Sequence, residues 1–376
     1  MEDLAGITVV ALEQAVAAPY VSGRLAEAGA RVIKIEREEG DFARGYDSLV
    51  KDQSAYFVWL NAGKESVVLD LKSPEDADIL KHMLATADVF IQNLAPGALA
   101  RLGFDPSALQ AEHPSLVICS ISGYGEEGPF RDQKAYDLLI QAETGLCSIT
   151  GINDELTRVG VSVSDISAGM TAYQEILQAL FARERDPQKK GRLINVSLFH
   201  ATADWMNVPY LQHRYGGFTP GNHGLKHPSI APYGAFACRD GRQVLISIQN
   251  EREWLSLCSI ALGQPELATD PRFVNNSLRV EHRDELEAIL SDLFAQQDRE
   301  TMIDQLNKAK IAFGRVSTLD DLVHHPQNRY RTIETGNGTV EALGRGAAVE
   351  GKLKKTLKIP ALGQDSEKIR KEFGKS

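Results

Sequence analysis

The sequence predicts an α/β protein, with a large open parallel sheet covered by helices and a smaller α+β domain. Three observations carry this expectation. Short apolar runs alternate with helix-period segments through residues 1–200, the rhythm of strands joined by crossover helices. That rhythm stops after about Trp205, where residues 215–224, "YGGFTPGNHG", hold no hydrophobic period and read as loop. Beyond it, "YGAFACRDGRQVLISI" (residues 233–248) alternates on both sides of Asp240-Gly241, the pattern of a β-hairpin.

The elements follow in order. Residues 7–12 form the first strand, and a small-residue helix over about 19–28 is stopped by Gly29. "RVIKIE" (31–36) and "SVVLDL" (66–71) are the next strands. Ser73-Pro74 opens a helix, with Ser73 as N-cap and Pro74 at the first helical position; Ile79, Leu80, Met83 and Leu84 are its apolar stripe. "DVFIQN" (88–93) and "SLVICSIS" (115–122) continue the sheet. Val161 to Ser164 alternate like a strand up to Asp165. There a long helix begins, with Ile166, Met170, Tyr173, Ile176, Leu177, Leu180 and Phe181 at spacings of three and four. Asp186-Pro187 ends it, and 192–199 is the next strand. Helical patterns cover about 251–262 and 283–306, and a polar helix covers 363–373. These signals place a large domain at 1–200 and 328–376, a small one at 225–325, and linkers at 201–224 and 326–327.

Composition narrows the function. The chain has 376 residues, 43% hydrophobic and 24% charged, ordinary for a globular protein of about two domains. No apolar run approaches the roughly 18–20 residues of a membrane span. Met1-Glu2-Asp3-Leu4 lacks the basic start of a secretory signal, so a cytoplasmic protein is expected. Fifty-one acidic against 41 basic residues give a formal charge of −10, which argues against a nucleic-acid partner. Cys119, Cys147, Cys238 and Cys258 are far apart and include no C-x-x-C pair, so they read as free thiols rather than a disulfide or zinc framework.

Several motifs are tempting and fail on physical grounds. "GYGEEG" (123–128) fits G-x-G-x-x-G after a strand. Glu126 and Glu127 would stand beside a bound pyrophosphate, however, and Pro129 continues a loop rather than opening a helix. His223 and His227 have metal-ligand spacing but sit among glycines and Pro228, and the glutamate of H-E-x-x-H is missing. His324 and His325 are adjacent, so their rings diverge; no metal is expected. The nucleophile elbow G-x-S-x-G is absent. Asp165 has two readings. It, or Ser162 with Asp165 three residues on, caps the helix; or it is a catalytic carboxylate at a strand end facing a ligand crevice, kept ionised by the helix dipole.

Across nearly the whole chain the sequence resembles the class III coenzyme A transferases, the family that includes formyl-CoA and carnitine CoA transferases and alpha-methylacyl-CoA racemase. The resemblance rests on ordered blocks: "ALEQAVAAPYVSGRLAEAGARVIKIEREEGDFAR", "NAGKESVVLDLK", "ADVFIQNLAPGALARLGF", "SISGYGEEGP", "KAYDLLIQAETGL", "VSVSDISAGM" and "PALGQDSEKI". It implies a Rossmann-like large domain, a smaller α+β domain and an interlocked homodimer. It also implies transfer of CoA from an acyl-CoA to a carboxylic acid, with CoA entering as substrate and no cofactor held permanently. Asp165, in the D-x-x-x-G block, would be the covalent nucleophile. CoA contacts would fall on Val16, Ala17, Arg37, Leu69, Lys72, Asn93, Arg101, Lys134 and Tyr136. Racemases of the family carry His directly before the aspartate at position 137, whereas this chain has Tyr136, which favours transfer over racemisation. Overall similarity is greatest to bacterial enzymes of short dicarboxylates such as mesaconate, itaconate and succinate. Arg44 and His200 are candidates for reading a distal carboxylate.

Overall fold

The computed structural model describes residues 2–152, 155–350 and 356–374. The chain divides into two compact units. The larger contains Met1–Cys147, Arg158–Leu211 and Arg329–Ser376; the smaller contains Ser148–Thr157 and Gln212–Asn328.

The larger unit is built on six parallel strands: β1 (Thr8–Leu12), β2 (Arg31–Glu36), β3 (Glu65–Val68), β4 (Val89–Gln92), β5 (Val117–Ser122) and β6 (Leu193–Ser197). Their spatial order is β3-β2-β1-β4-β5-β6. The chain builds outward from β1 on one side, then returns to build outward on the other. A crevice therefore opens beyond the carboxyl ends of β1 and β4, where such sheets bind ligands.

The central strands read as unbroken apolar runs because both faces are covered. Val9 and Ala11 point to one face, where they pack with α1 (Ala17–Glu27) and α6 (Val163–Arg185) through Val21, Leu25, Ala168, Ala172 and Ile176. Val10 and Leu12 point to the other. There Ile79, Leu80, Met83 and Leu84 of α3 (Pro74–Thr86) pack over Ile33, Phe90 and Ile118. Between these lie α2 (Ala55–Asn61), α4 (Pro106–Glu112) and α5 (Asp137–Glu143), and α7 (Leu198–Trp205) and α8 (Asn207–Gly216) follow β6.

The smaller unit packs an antiparallel sheet, β7 (Tyr233–Ala237), β8 (Gln243–Ser247) and β9 (Ala312–Arg315), against helices that include α9 (Glu251–Ser256), α10 (Asn276–Glu281), α11 (Arg283–Phe294) and α12 (Arg299–Lys308). Arg279 is buried in this core. Its guanidinium donates to the carbonyls of Ala231 and Phe273 and to Glu251, which satisfies the charge.

Residues 329–376 return to the larger unit. The hairpin β10 (Tyr330–Thr335) and β11 (Gly338–Leu343) turns at Gly336-Asn337, and β12 (Leu357–Lys358) joins it in parallel. The last helix, α13 (Ser366–Phe373), covers the outer edge of β3. The backbone N–H groups of Ser66 and Val68 donate to Asp365 (2.9 Å) and Ser366 (3.0 Å), so an otherwise open strand edge is capped by side chains.

The sequence pattern misleads in several places: the helix expected over 283–306 is two helices, Arg283–Phe294 and Arg299–Lys308, and the expected linker at 201–224 contains the helix Asn207–Gly216. Residues 161–164 do not form a strand: Val163 already begins α6, with Ser162 at the N-cap. The third strand ends at Val68, because Asp70 leaves the ladder and its N–H donates to Asp76 at 2.7 Å. No helix among the described residues is long and apolar enough to cross a membrane.

Candidate active site

The crevice is made by strand ends. After β1 the chain turns through Glu13, Gln14 and Ala15, and Val16 is the N-cap of α1. Asn93, just past β4, holds this turn: its amide oxygen accepts from Gln14 N–H (3.0 Å) and its NH2 donates to the Gln14 carbonyl (2.8 Å). A cavity of about 430 Å³ opens here, within the range of small-molecule sites. Its walls include Leu12, Gln14, Arg37, Leu69, Lys72 and Leu102.

Asp165 lies in the first turn of α6, three residues after Ser162. Neither capping arrangement read from the sequence forms, since no side chain of Ser162 or Asp165 caps the helix. The cap comes from another element. Asp137, at the start of α5, accepts from the N–H groups of Ser164 (2.7 Å) and Asp165 (3.3 Å) through Oδ1. Its other oxygen accepts from buried Gln141 at 2.7 Å, and Gln141 in turn accepts from Val159 N–H at 2.9 Å.

This geometry corrects the electrostatic expectation. A helix N-terminus favours an ionised carboxylate by roughly 0.3–1 kcal/mol at exposed sites. Asp165 is largely buried, and burial followed by the repulsion of Asp137 pushes its pKa up to about 7. Desolvation outweighs the dipole. Two phenols stand near the start of α6. Tyr56 hydroxyl lies 3.1 Å from Ser162 Oγ, and the Tyr46 and Tyr56 rings meet edge to face at 5.5 Å. Burial and the charges of Asp41 and Asp165 push the Tyr46 hydroxyl up to about 12, with Tyr136 also within electrostatic reach.

The structure gathers most of the residues named from the sequence at this end of the sheet. Arg37, Leu69 and Lys72 line the cavity, and Val16 and Ala17 begin α1 beside it. Arg101 ends a short helix, Ala98–Arg101, next to the cavity residue Leu102. Lys134 and Tyr136 lie on the exposed approach to Asp137. Asn93 is a brace for the turn, with its amide spent on Gln14. Arg44 is committed elsewhere: it forms a two-point ion pair with Glu36 (2.7 and 2.8 Å), donates to the Pro360 carbonyl, and lies over the Phe57 ring at 3.8 Å. His200 is tied to Ser197 Oγ at 2.6 Å and lies against Gly125. Sequence reasoning missed Asp137 as the cap of α6, and Tyr46 and Tyr56 as neighbours of Asp165. No spacing rule reaches across 28 residues from Asp137 to Asp165. Among the described residues no group of His, Cys, Asp and Glu converges on a metal position.

The larger unit thus combines a ligand-sized crevice at the switch point of a parallel sheet, lined by Arg37 and Lys72 among several carboxylates, with a carboxylate of raised pKa at a helix start, the features of an α/β enzyme. The chain belongs to CoA-transferase family III, whose family model matches residues 4–366, and it is a CoA transferase. It is 35% identical to an acetyl-CoA:oxalate CoA-transferase of Acetobacter aceti, covering 98% of this chain and 95% of that one. It is 32% identical to a succinyl-CoA:glutarate CoA-transferase of Mus musculus, covering 99% and 86%. A solved CAIB/BAIF family protein from Brucella suis superposes with a TM-score of 0.84 at 32% identity, covering 98% of each chain.

Proposed function

We propose that the enzyme moves CoA from an acyl-CoA to a short dicarboxylic acid, with Asp165 as the covalent relay. The Asp165 carboxylate attacks the donor thioester carbonyl, and the C–S bond breaks to give a mixed anhydride and CoA thiolate. The thiolate attacks the Asp165 carbonyl, releasing the donor acid and leaving an aspartyl-CoA thioester. An acceptor carboxylate attacks that thioester and regenerates an anhydride and thiolate. The thiolate then takes the acceptor acyl group, and Asp165 returns as a carboxylate. Every acyl group stays activated, so no external energy source enters. Holding the free acid and thiolate in place can lower the barriers by about 7–11 kcal/mol relative to bimolecular encounter.

The observation that supports this reading is Asp165 itself, a largely buried carboxylate in the first turn of α6, in a chain whose crevice beyond β1 carries Arg37 and Lys72 on its wall. Those cations suit the phosphates of CoA, and CoA contacts are assigned to Val16, Ala17, Leu69, Asn93, Arg101, Lys134 and Tyr136 as well. The dicarboxylate preference rests on the oxalate and glutarate transferases to which the chain is similar. With Arg44 bound to Glu36, His200 is the remaining candidate for the distal carboxylate. The enzyme works as a homodimer whose chains interlock, in a reducing cytoplasm consistent with four free cysteines.

Trapping tests the mechanism. Incubation with a panel of short acyl-CoAs, followed by hydroxylamine or borohydride, should label the Asp165 peptide. Asp165→Ala should lose at least about a thousandfold in transfer rate. A donor that turns over without labelling Asp165 would overturn the covalent route. Deuterium exchange at the alpha carbon of a 2-methylacyl-CoA, without transfer to an added acid, would identify a racemase instead.

A further inference from the structure

In the wall of the crevice and behind it lies a group of charges that the proposed transfer chemistry does not use. The side chains of Glu13, Lys34, Asp41 and Lys64 are all fully shielded from solvent. Lys64 Nζ donates to Glu13 Oε1 at 2.7 Å, and Lys34 Nζ donates to Asp41 Oδ2 at 2.8 Å. Ser22 Oγ donates to the second Glu13 oxygen at 2.6 Å. The two cations and two anions balance. Such clusters are poor sources of stability, because desolvation offsets their attraction, so their presence asks what geometry they fix.

One contact answers. Asp41 Oδ1 accepts from the backbone N–H of Ala15 at 3.0 Å and from Ala43 at 2.9 Å. Ala15 has φ of +66°, a left-handed conformation that a residue with a Cβ seldom adopts. It is the hinge of the turn between β1 and α1. The residue before it, Gln14, lines the cavity and is gripped by Asn93; the residue after it, Val16, is the N-cap of α1. The Asp41 backbone N–H is itself fixed by Glu36 Oε2 at 3.0 Å. An unfavourable backbone conformation is thus held in place by a carboxylate that is pinned on both sides.

We infer that Asp41 is a positioning residue for acyl-CoA: with Lys34 behind it, it holds Ala15 left-handed and so sets the turn that walls the crevice. The inference rests on reading that crevice as the acyl-CoA site. Asp41 acts through Ala15 and takes no part in bond making at Asp165.

The test is a cycle of Asp41→Asn and Ala15→Gly, followed by steady-state kinetics with a saturating acceptor. Losing a charge-assisted contact in the turn should raise KM for acyl-CoA about ten- to hundredfold in Asp41→Asn, with kcat changed less than about threefold. Glycine adopts the left-handed conformation freely. Adding Ala15→Gly to Asp41→Asn should therefore recover at least about fivefold of the lost KM. If Asp41→Asn does not accumulate as folded protein, Ala15→Val carries the test, because a β-branched residue resists positive φ while the charges stay intact; it should raise KM as well. A folded Asp41→Asn or Ala15→Val enzyme with wild-type KM overturns the inference, as does a raised KM that Ala15→Gly leaves unrecovered. Wild-type labelling at Asp165, run in parallel, separates the two ideas. A labelled wild type with an insensitive KM removes only the role of Asp41, whereas a turning-over wild type that never labels removes the reading of the site and this inference with it.

Discussion

The proposed mechanism needs Asp165 ionised for attack, and Asp165 is held near the point of half-ionisation at neutral pH. Its pKa is raised to about 7 by burial and by Asp137. The attacking form therefore accumulates as pH rises, so kcat/KM should climb through about pH 7 and level off above it. Replacing Asp137 with Asn keeps an oxygen for the Ser164 and Asp165 N–H groups but removes the charge. The acid limb of the profile should then move to lower pH. The same shift acts on stability. The folded state binds the Asp165 proton more tightly than the unfolded chain does, so stability falls as pH rises from the ordinary carboxylate range through about 7. Asp165→Asn removes that cost. It should be more stable than wild type at pH 8 by about 2–4 kcal/mol, with the gain vanishing near pH 4, as urea unfolding at the two pH values would show. An inactive variant that outlasts its parent only in alkali would be the mark of a function–stability conflict at one side chain.

At the scale of elements, the D-x-x-x-G block acquires a physical reason. Gly169 lies one turn after Asp165, where α6 crosses α1. A Cβ there would stand 3.0 Å from the Ala17 carbonyl oxygen and 2.8 Å from the Tyr20 ring. Glycine lets the helix bearing Asp165 approach the helix that begins at the crevice. Gly169→Val should cost about 1–3 kcal/mol in urea unfolding and also raise KM for acyl-CoA, because the backbone it displaces belongs to Ala17. Elements with strong local signals were legible in advance. "RVIKIE" folds as β2 over the expected residues, Ser73-Pro74 opens α3, and Asp240-Gly241 turns the β7–β8 hairpin. The alternation at residues 161–164 misled because the winning interaction is non-local: a carboxylate from α5 draws the chain into a helix where propensity alone suggests extension. The β10–β11 hairpin carries its own turn signal, the Gly336-Asn337 pair that closes its two-residue loop. At the site, the position of Asp165 at a helix start was visible in sequence. Its proton affinity was not, since that depends on burial and on a partner 28 residues away.

For the whole molecule, the outer surface of the helices after β6 is notably apolar. Trp205, Val208 and Leu211 are each half exposed or more. Patches of this kind mark interaction surfaces. The proposed homodimer should therefore depend on them, and Val208→Glu with Leu211→Glu should shift the mass measured by light scattering from dimer toward monomer. The return of the chain after the smaller unit has a different consequence, one for its synthesis. Strand β3 emerges from the ribosome early, yet the side chains that cap its edge, Asp365 and Ser366, are made about 300 residues later. At translation speeds of about 5–20 residues per second, the nascent sheet spends many seconds with one flank open. For that interval it is a template for stray strands, and α13 is the helix that ends the exposure.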